Sequence, residues 1–141
     1  MSRVIFSLYI DIPTDEIDIF DKNILKEGHV PTNIKTKNQF AKHYGDLRAC
    51  KQIYADAIGA DFMMYEFNTN FTLWSERMKQ EYPYLTMYNI INFYKIHLMY
   101  ELAMKYDEIL FLDFDVVPMK NVNFFEAWDL TKGIAVLNNN N

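Results

Sequence analysis

Residues 109–112 read Ile-Leu-Phe-Leu with no polar interruption, and Asp113, Phe114 and Asp115 follow at once. A strand with one face in water alternates apolar and polar residues, whereas a strand covered on both faces does not have to. This run therefore predicts a central strand between two layers, in a mostly parallel sheet with helices on both sides. It also ends in two carboxylates one residue apart. Strand side chains alternate with period two, so Asp113 and Asp115 are expected to leave the backbone on one side, close enough to share a divalent cation.

The rest of the chain supplies the other layers. Arg3 to Ile10 is rich in β-branched and aromatic residues and closes on Asp11-Ile12-Pro13, which reads as a strand opening into a loop. Residues 13–37 predict a short helix around Ile17, Phe20, Ile24 and Leu25, then loop. Phe40, Tyr44, Leu47, Cys50, Tyr54 and Ile58 recur at threes and fours, the stripe of an amphipathic helix that Gly59 would cap. Asp61 to Tyr65 is a short strand, and 66–87 an aromatic-rich connection with Trp74 and Tyr82-Pro83-Tyr84. A second helix runs from Tyr88 to Tyr106 into the Ile109 strand. Phe124 to Leu130 predicts a helical turn and Gly133 to Leu137 another strand. The alternation of strands and helices gives an α/β fold, and in open α/β sheets ligands gather outside the carboxyl ends of the strands. Asp113 and Asp115 belong at that edge, as does the segment from Leu8 to Asp11.

Composition narrows the partners. A chain of 141 residues, half apolar, with four glycines and four prolines, fits one domain over 1–141 that buries roughly two thirds of its unfolded surface. Its 14 basic and 19 acidic residues give a net charge of −5 with no basic run, which argues against a nucleic-acid surface. A phosphate ligand would then need a metal. The single Cys50 cannot form an internal disulfide, the start reaches Asp11 too soon for a signal peptide, and no apolar run approaches the roughly 20 residues of a membrane span. These features suit the cytoplasm, with no membrane partner. Asn138 to Asn141 closely follows a buried-type strand, which leads us to expect a fold truncated at its carboxy terminus.

The D-x-D spacing alone is weak, since Glu16-Ile17-Asp18 repeats it, but its place after a buried strand brings charge to the rim of the core. Such charge is costly unless solvated or metal-bound. Hard carboxylate oxygens suit Mg²⁺ or Mn²⁺, with a diphosphate completing the octahedron; the bland alternative is a solvated strand end. Lys95 is the second candidate. At about 100° per residue, Ile91, Leu98, Met99, Leu102 and Tyr106 surround it, so its ammonium must snorkel, pair with a carboxylate or reach a phosphate. His97 shares the opposite polar face with Glu101 and Lys105 and is expected in solvent. Tyr9 could stack on a base or simply pack, and the amide of Asn92, in the apolar arc, needs a sugar hydroxyl or backbone as partner. The eight methionines and 11 phenylalanines suggest core filler rather than a cofactor box. No Walker, dinucleotide-binding, Cys/His metal or nucleophile-elbow pattern is present in the sequence.

Lys95-Ile96-His97 on an amphipathic helix, then Tyr106-Asp107-Glu108-Ile109-Leu110-Phe111-Leu112 and Asp113-Phe114-Asp115, resembles the amino-terminal half of GT-A glycosyltransferases, most closely the glycogenin-like retaining enzymes. Tyr54-Ala55 followed by Gly59-Ala60-Asp61-Phe62 looks like their first helix-to-strand passage. The likeness spans residues 3–137, although only the D-x-D strand and the helix before it are specific. It implies a Rossmann-like GT-A sheet in which Asp113 and Asp115 bind Mn²⁺ or Mg²⁺ with the diphosphate of a UDP- or GDP-sugar, Asp113 also lying near the ribose. By the same resemblance Leu8 and Tyr9 line the nucleoside pocket, Lys95 lies near the donor sugar or phosphates, and Asn92 and Phe114 belong to the donor site. A further metal ligand, often histidine, and the acceptor-binding elements are expected beyond residue 141. The resemblance assigns no catalytic residue here. Two rivals are a non-catalytic nucleotide-sugar-binding or partner module, and a HAD-like phosphatase with Asp113 and Asp115 as nucleophile and acid/base pair. Position weighs against the second, since such enzymes place the pair on their first strand.

Overall fold

The computed structural model of the chain describes residues 1–11 and 32–136. They form an α/β unit: β1 (Arg3–Tyr9), α1 (Thr32–Lys42), α2 (Tyr44–Ile58), β2 (Asp61–Glu66), α3 (Thr69–Glu81), α4 (Met87–Ala103), β3 (Glu108–Phe111), the short α5 (Phe124–Ala127) and a 3-10 turn at Leu130–Lys132. The sheet is parallel throughout, in the order β2-β1-β3, with Val4 level with Asp61 on one side and Ile109 on the other. The short helix anticipated within 13–37 falls mainly on residues 12–31, outside those described; 32–37, expected as loop, open α1.

The central strand is β1, not the Ile109 run. Val4 to Leu8 are all buried, whereas Glu108 to Phe111 are only half-buried and pair with β1 alone among the described residues. The strand expected at 133–137, which could have covered the other side of β3, does not form over its described part. Gly133 turns the chain with φ 127°, and Ile134 and Val136 stand 93% and 79% exposed.

Alternation along β1 builds two cores. Val4, Phe6 and Leu8 pack with Phe71 of α3 and with Ile90, Tyr94, Leu98 and Leu102 of α4. Ile5 faces the other way, toward Tyr54 and Ala55 of α2 and Phe125 of α5. Burying these side chains stabilises by roughly 1.5–3 kcal/mol each, the largest favourable contribution to a fold of this size. At the amino ends of the strands the sheet is closed by polar ties: Ser2 donates to Asp107 at 2.8 Å and Tyr106 to Asp61 at 2.9 Å.

Two helices depart from the expected pattern. The stripe read from Phe40 to Ile58 is broken at His43, which takes φ −106°, ψ 14°; its N–H still donates to the Gln39 carbonyl and its carbonyl accepts from Leu47, so the joint is a bend. Thr69–Glu81, read as a connection, is a helix. Asn68 caps it by accepting from the Phe71 N–H at 3.0 Å, and Phe71, Trp74 and Met78 turn inward at helical spacing. Its Thr and Asn residues are poor helix formers, so the inward face decides the outcome. Gly59 does end α2 in the left-handed region, φ 74° and ψ 34°, and its N–H closes on the last turn.

Candidate functional site

The carboxyl edge of the sheet is where β1, β2 and β3 deliver Tyr9, Glu66 and the 113–116 turn. β3 ends at Phe111, one residue short of the D-x-D motif, although the Leu112 N–H still donates to the Phe6 carbonyl at 3.0 Å. The chain then turns, and the Val116 N–H donates to the Asp113 carbonyl at 3.0 Å. Asp113 and Asp115 are thus presented by a turn, a correction to the strand geometry expected for them. Phe114 between them is 4% exposed, and both acids face solvent.

What holds Phe114 down is an aromatic shelf on the α2 side of the sheet. Its ring lies 4.8 Å from that of Tyr9, 5.3 Å from Phe40 and 5.7 Å from Tyr44, the last nearly parallel. Such pairs contribute about 0.5–1.5 kcal/mol each beyond their buried area. Tyr44 donates from its hydroxyl to Glu66 at the end of β2. Desolvation, then that bond to a carboxylate, push the Tyr44 phenol up to about 12. Tyr9 is raised as well, by burial first and by Asp11 second. Asp11 itself pairs with Lys37 of α1 at 2.8 Å.

Lys95 reaches the site from the other face. Its Nζ lies 2.9 Å from Asp113 Oδ1 and 5.1 Å from the centre of the Phe111 ring. Of the three fates open to a lysine on an apolar stripe, pairing with a carboxylate is the one adopted. The Thr86 capping box starts α4 and so fixes where Lys95 stands: Thr86 Oγ1 accepts from the Asn89 N–H at 3.2 Å and the Asn89 side chain accepts from the Thr86 N–H at 3.3 Å.

Leu8 and Asn92 fall differently. Leu8 is 6% exposed and its side chain belongs to the core beneath α4, on the opposite face from the Tyr9 ring. Asn92 is half-buried, three residues before Lys95. His97 is not in open solvent as anticipated: it is half-buried, its ring 5.6 Å from Trp74 and 6.0 Å from Tyr94, with Nε2 3.0 Å from Glu101. The cause is the unforeseen α3, which brings Trp74 beside it. A cleft of about 360 Å³ lies there, lined by residues including Asn68, Trp74, Arg77, His97 and Glu101, and neither D-x-D carboxylate borders it.

One residue of the edge escaped the sequence reading. Lys51 of α2 is fully buried, and its Nζ donates to the Phe114 carbonyl at 2.6 Å and to the Leu47 carbonyl at 2.9 Å. Burial lowers its pKa, and the nearby Cys50 and Asp115 act against that shift. The signal was present, since Lys51 stands four residues after Leu47 and three, four and seven before Tyr54, Ala55 and Ile58.

Among the described residues no group of three or more His, Cys, Asp or Glu could hold a metal, and no helix is long and apolar enough to cross a membrane. Two exposed carboxylates alone fit a hard cation of the Mg²⁺ or Mn²⁺ kind, which commonly takes one or two protein oxygens and fills its shell with phosphate and water. Comparison of the chain with protein families, curated proteins and solved structures found no match.

Proposed function

We propose that this chain carries the donor site of a metal-dependent glycosyltransferase with a Rossmann-like, GT-A type sheet, taking a UDP- or GDP-sugar. The observation that carries the reading is the pair Asp113 and Asp115, turned outward at the carboxyl edge of a parallel sheet with the Lys95 ammonium 2.9 Å from Asp113. Asp113 and Asp115 would hold Mn²⁺ or Mg²⁺ together with the donor diphosphate. When bound, the cation supplies charge stabilisation to the departing diphosphate.

The chain's own residues do the rest. Lys95 balances Asp113 and is near enough to exchange that partner for a phosphate oxygen, a charge-assisted contact with either anion. Tyr9 and Tyr44 offer aromatic surface at the edge where a nucleoside would stack, and Glu66 fixes Tyr44 through its hydroxyl. Phe114, held beneath these rings, keeps its flanking acids apart from the core. Asn92 has amide donors and an acceptor for a sugar hydroxyl. A site that needs no protein nucleophile is consistent with this inventory.

Hydrolysis of UDP- and GDP-hexoses in Mn²⁺ buffer, with water taking the sugar and nucleoside diphosphate released, tests the reading. Turnover should require the cation, fall at least 100-fold in Asp115→Asn, and fall about tenfold in Lys95→Met. Metal-independent turnover that survives Asp115→Asn would rule out the donor-site assignment. Metal-dependent nucleotide binding without turnover would favour the non-catalytic module. Phosphate release from a generic phosphomonoester would favour the phosphatase.

A further inference from the structure

Lys51 is the most deeply buried charged side chain among the described residues, and it does not sit against a carboxylate. Its ammonium is spent on two main-chain carbonyls, Leu47 on its own helix and Phe114 sixty-three positions away, and stands 5.1 Å from the centre of the Phe114 ring. A buried charge of this kind is retained at a cost in desolvation, and removing it leaves the Phe114 carbonyl without that donor. The carbonyl it holds is the one between Asp113 and Asp115. With the Phe114 ring packed among Tyr9, Phe40 and Tyr44 and its carbonyl tied to α2, the residue is fixed at two points. Its neighbours on either side are left on the outside of the turn, where both are exposed.

We propose that Lys51 is a positioning residue: its buried ammonium clamps the Phe114 carbonyl and so sets the 113–116 turn that presents Asp113 and Asp115 to the edge of the sheet. It touches no ligand and acts only through the turn. What the turn serves rests on the donor-site reading; how the turn is held does not.

Amide hydrogen exchange of the ligand-free protein, followed by NMR, reads the clamp directly, because the Val116 N–H donates to the Asp113 carbonyl within that turn. In Lys51→Met, exchange at Val116 should rise at least tenfold while amides of α4 such as Ile90 keep their rates, and Mn²⁺-dependent UDP binding should weaken at least tenfold. Lys51→Gln, which retains an N–H donor, should fall between, and it carries the comparison if Lys51→Met does not fold. Tyr54→Phe is the control: it removes a different buried tie from α2, the hydroxyl that donates to the Val122 carbonyl at 2.5 Å, and should change neither readout at the turn. Wild-type exchange at Val116 in a folded Lys51 variant, or the same acceleration in Tyr54→Phe, would overturn the proposal. If the wild-type protein binds no nucleotide, the donor-site reading fails while the exchange comparison still decides the role of Lys51.

Discussion

Tyr44 shows how a side chain from one element is tuned by a partner from another, Glu66. The Tyr44 phenol keeps its proton more tightly in the folded chain, to about 12 against 10.0 in the unfolded one. A pKa raised on folding favours the folded state at any pH below the unfolded value, and that contribution is lost as pH climbs from 10.0 to about 12. The denaturation midpoint of the wild-type protein should therefore exceed that of Tyr44→Phe at pH 9, and the gap should close by pH 12; a constant gap would contradict the assignment. Lysines were the least evenly legible residues. Projection on a helical wheel singles out Lys95, and the same projection would have singled out Lys51, whose apolar neighbours at three, four and seven positions leave it no route to water. The shelf of Tyr9, Phe40, Tyr44 and Phe114 had no such local signal. Its members come from β1, α1, α2 and the turn after β3, and only the tertiary fold brings them together.

At the level of elements, caps decide where the side chains of the candidate site stand. The Thr86 box begins α4 nine residues before Lys95, so loosening it should free the helix start that aims the ammonium at Asp113. Thr86→Ala is expected to cost about 1 kcal/mol, a drop of about 2–4 °C in melting temperature, with Thr86→Ser close to wild type. Thermal unfolding followed by circular dichroism checks this, and equal losses in both variants would point to packing of the Thr methyl instead. The strands β1 and β2 and the helices α2 and α4 were legible because their periodicity and Gly59 agree with the packing they enter. The helix α3 was not, since threonine and asparagine weaken its propensity and only Phe71, Trp74 and Met78 betray an inward face. The segment 133–136 erred in the opposite direction: Ile134 and Val136 have strand propensity, yet among the described residues no neighbour covers them.

For the whole molecule, the apolar run after α4 correctly announced a parallel sheet covered on both faces, and misplaced its centre. The strand with five consecutive buried residues is β1, and β3 lies beside it, delivering the carboxylate turn to the carboxyl edge. This placement gathers two acids, two lysines and an aromatic shelf from elements far apart in sequence, with Lys95 and Lys51 reaching the turn from opposite faces of the sheet. Lys95 already pairs with Asp113, so on the proposed donor-site reading a lone divalent cation would gain little there, while one arriving with a diphosphate would bring its own compensation. Calorimetric titration with UDP- and GDP-sugars, in the presence and absence of Mn²⁺, for the wild-type protein and Asp115→Asn, tests this most directly. The account predicts binding that needs the cation and is abolished by the substitution; binding indifferent to both, or none at all, would contradict it.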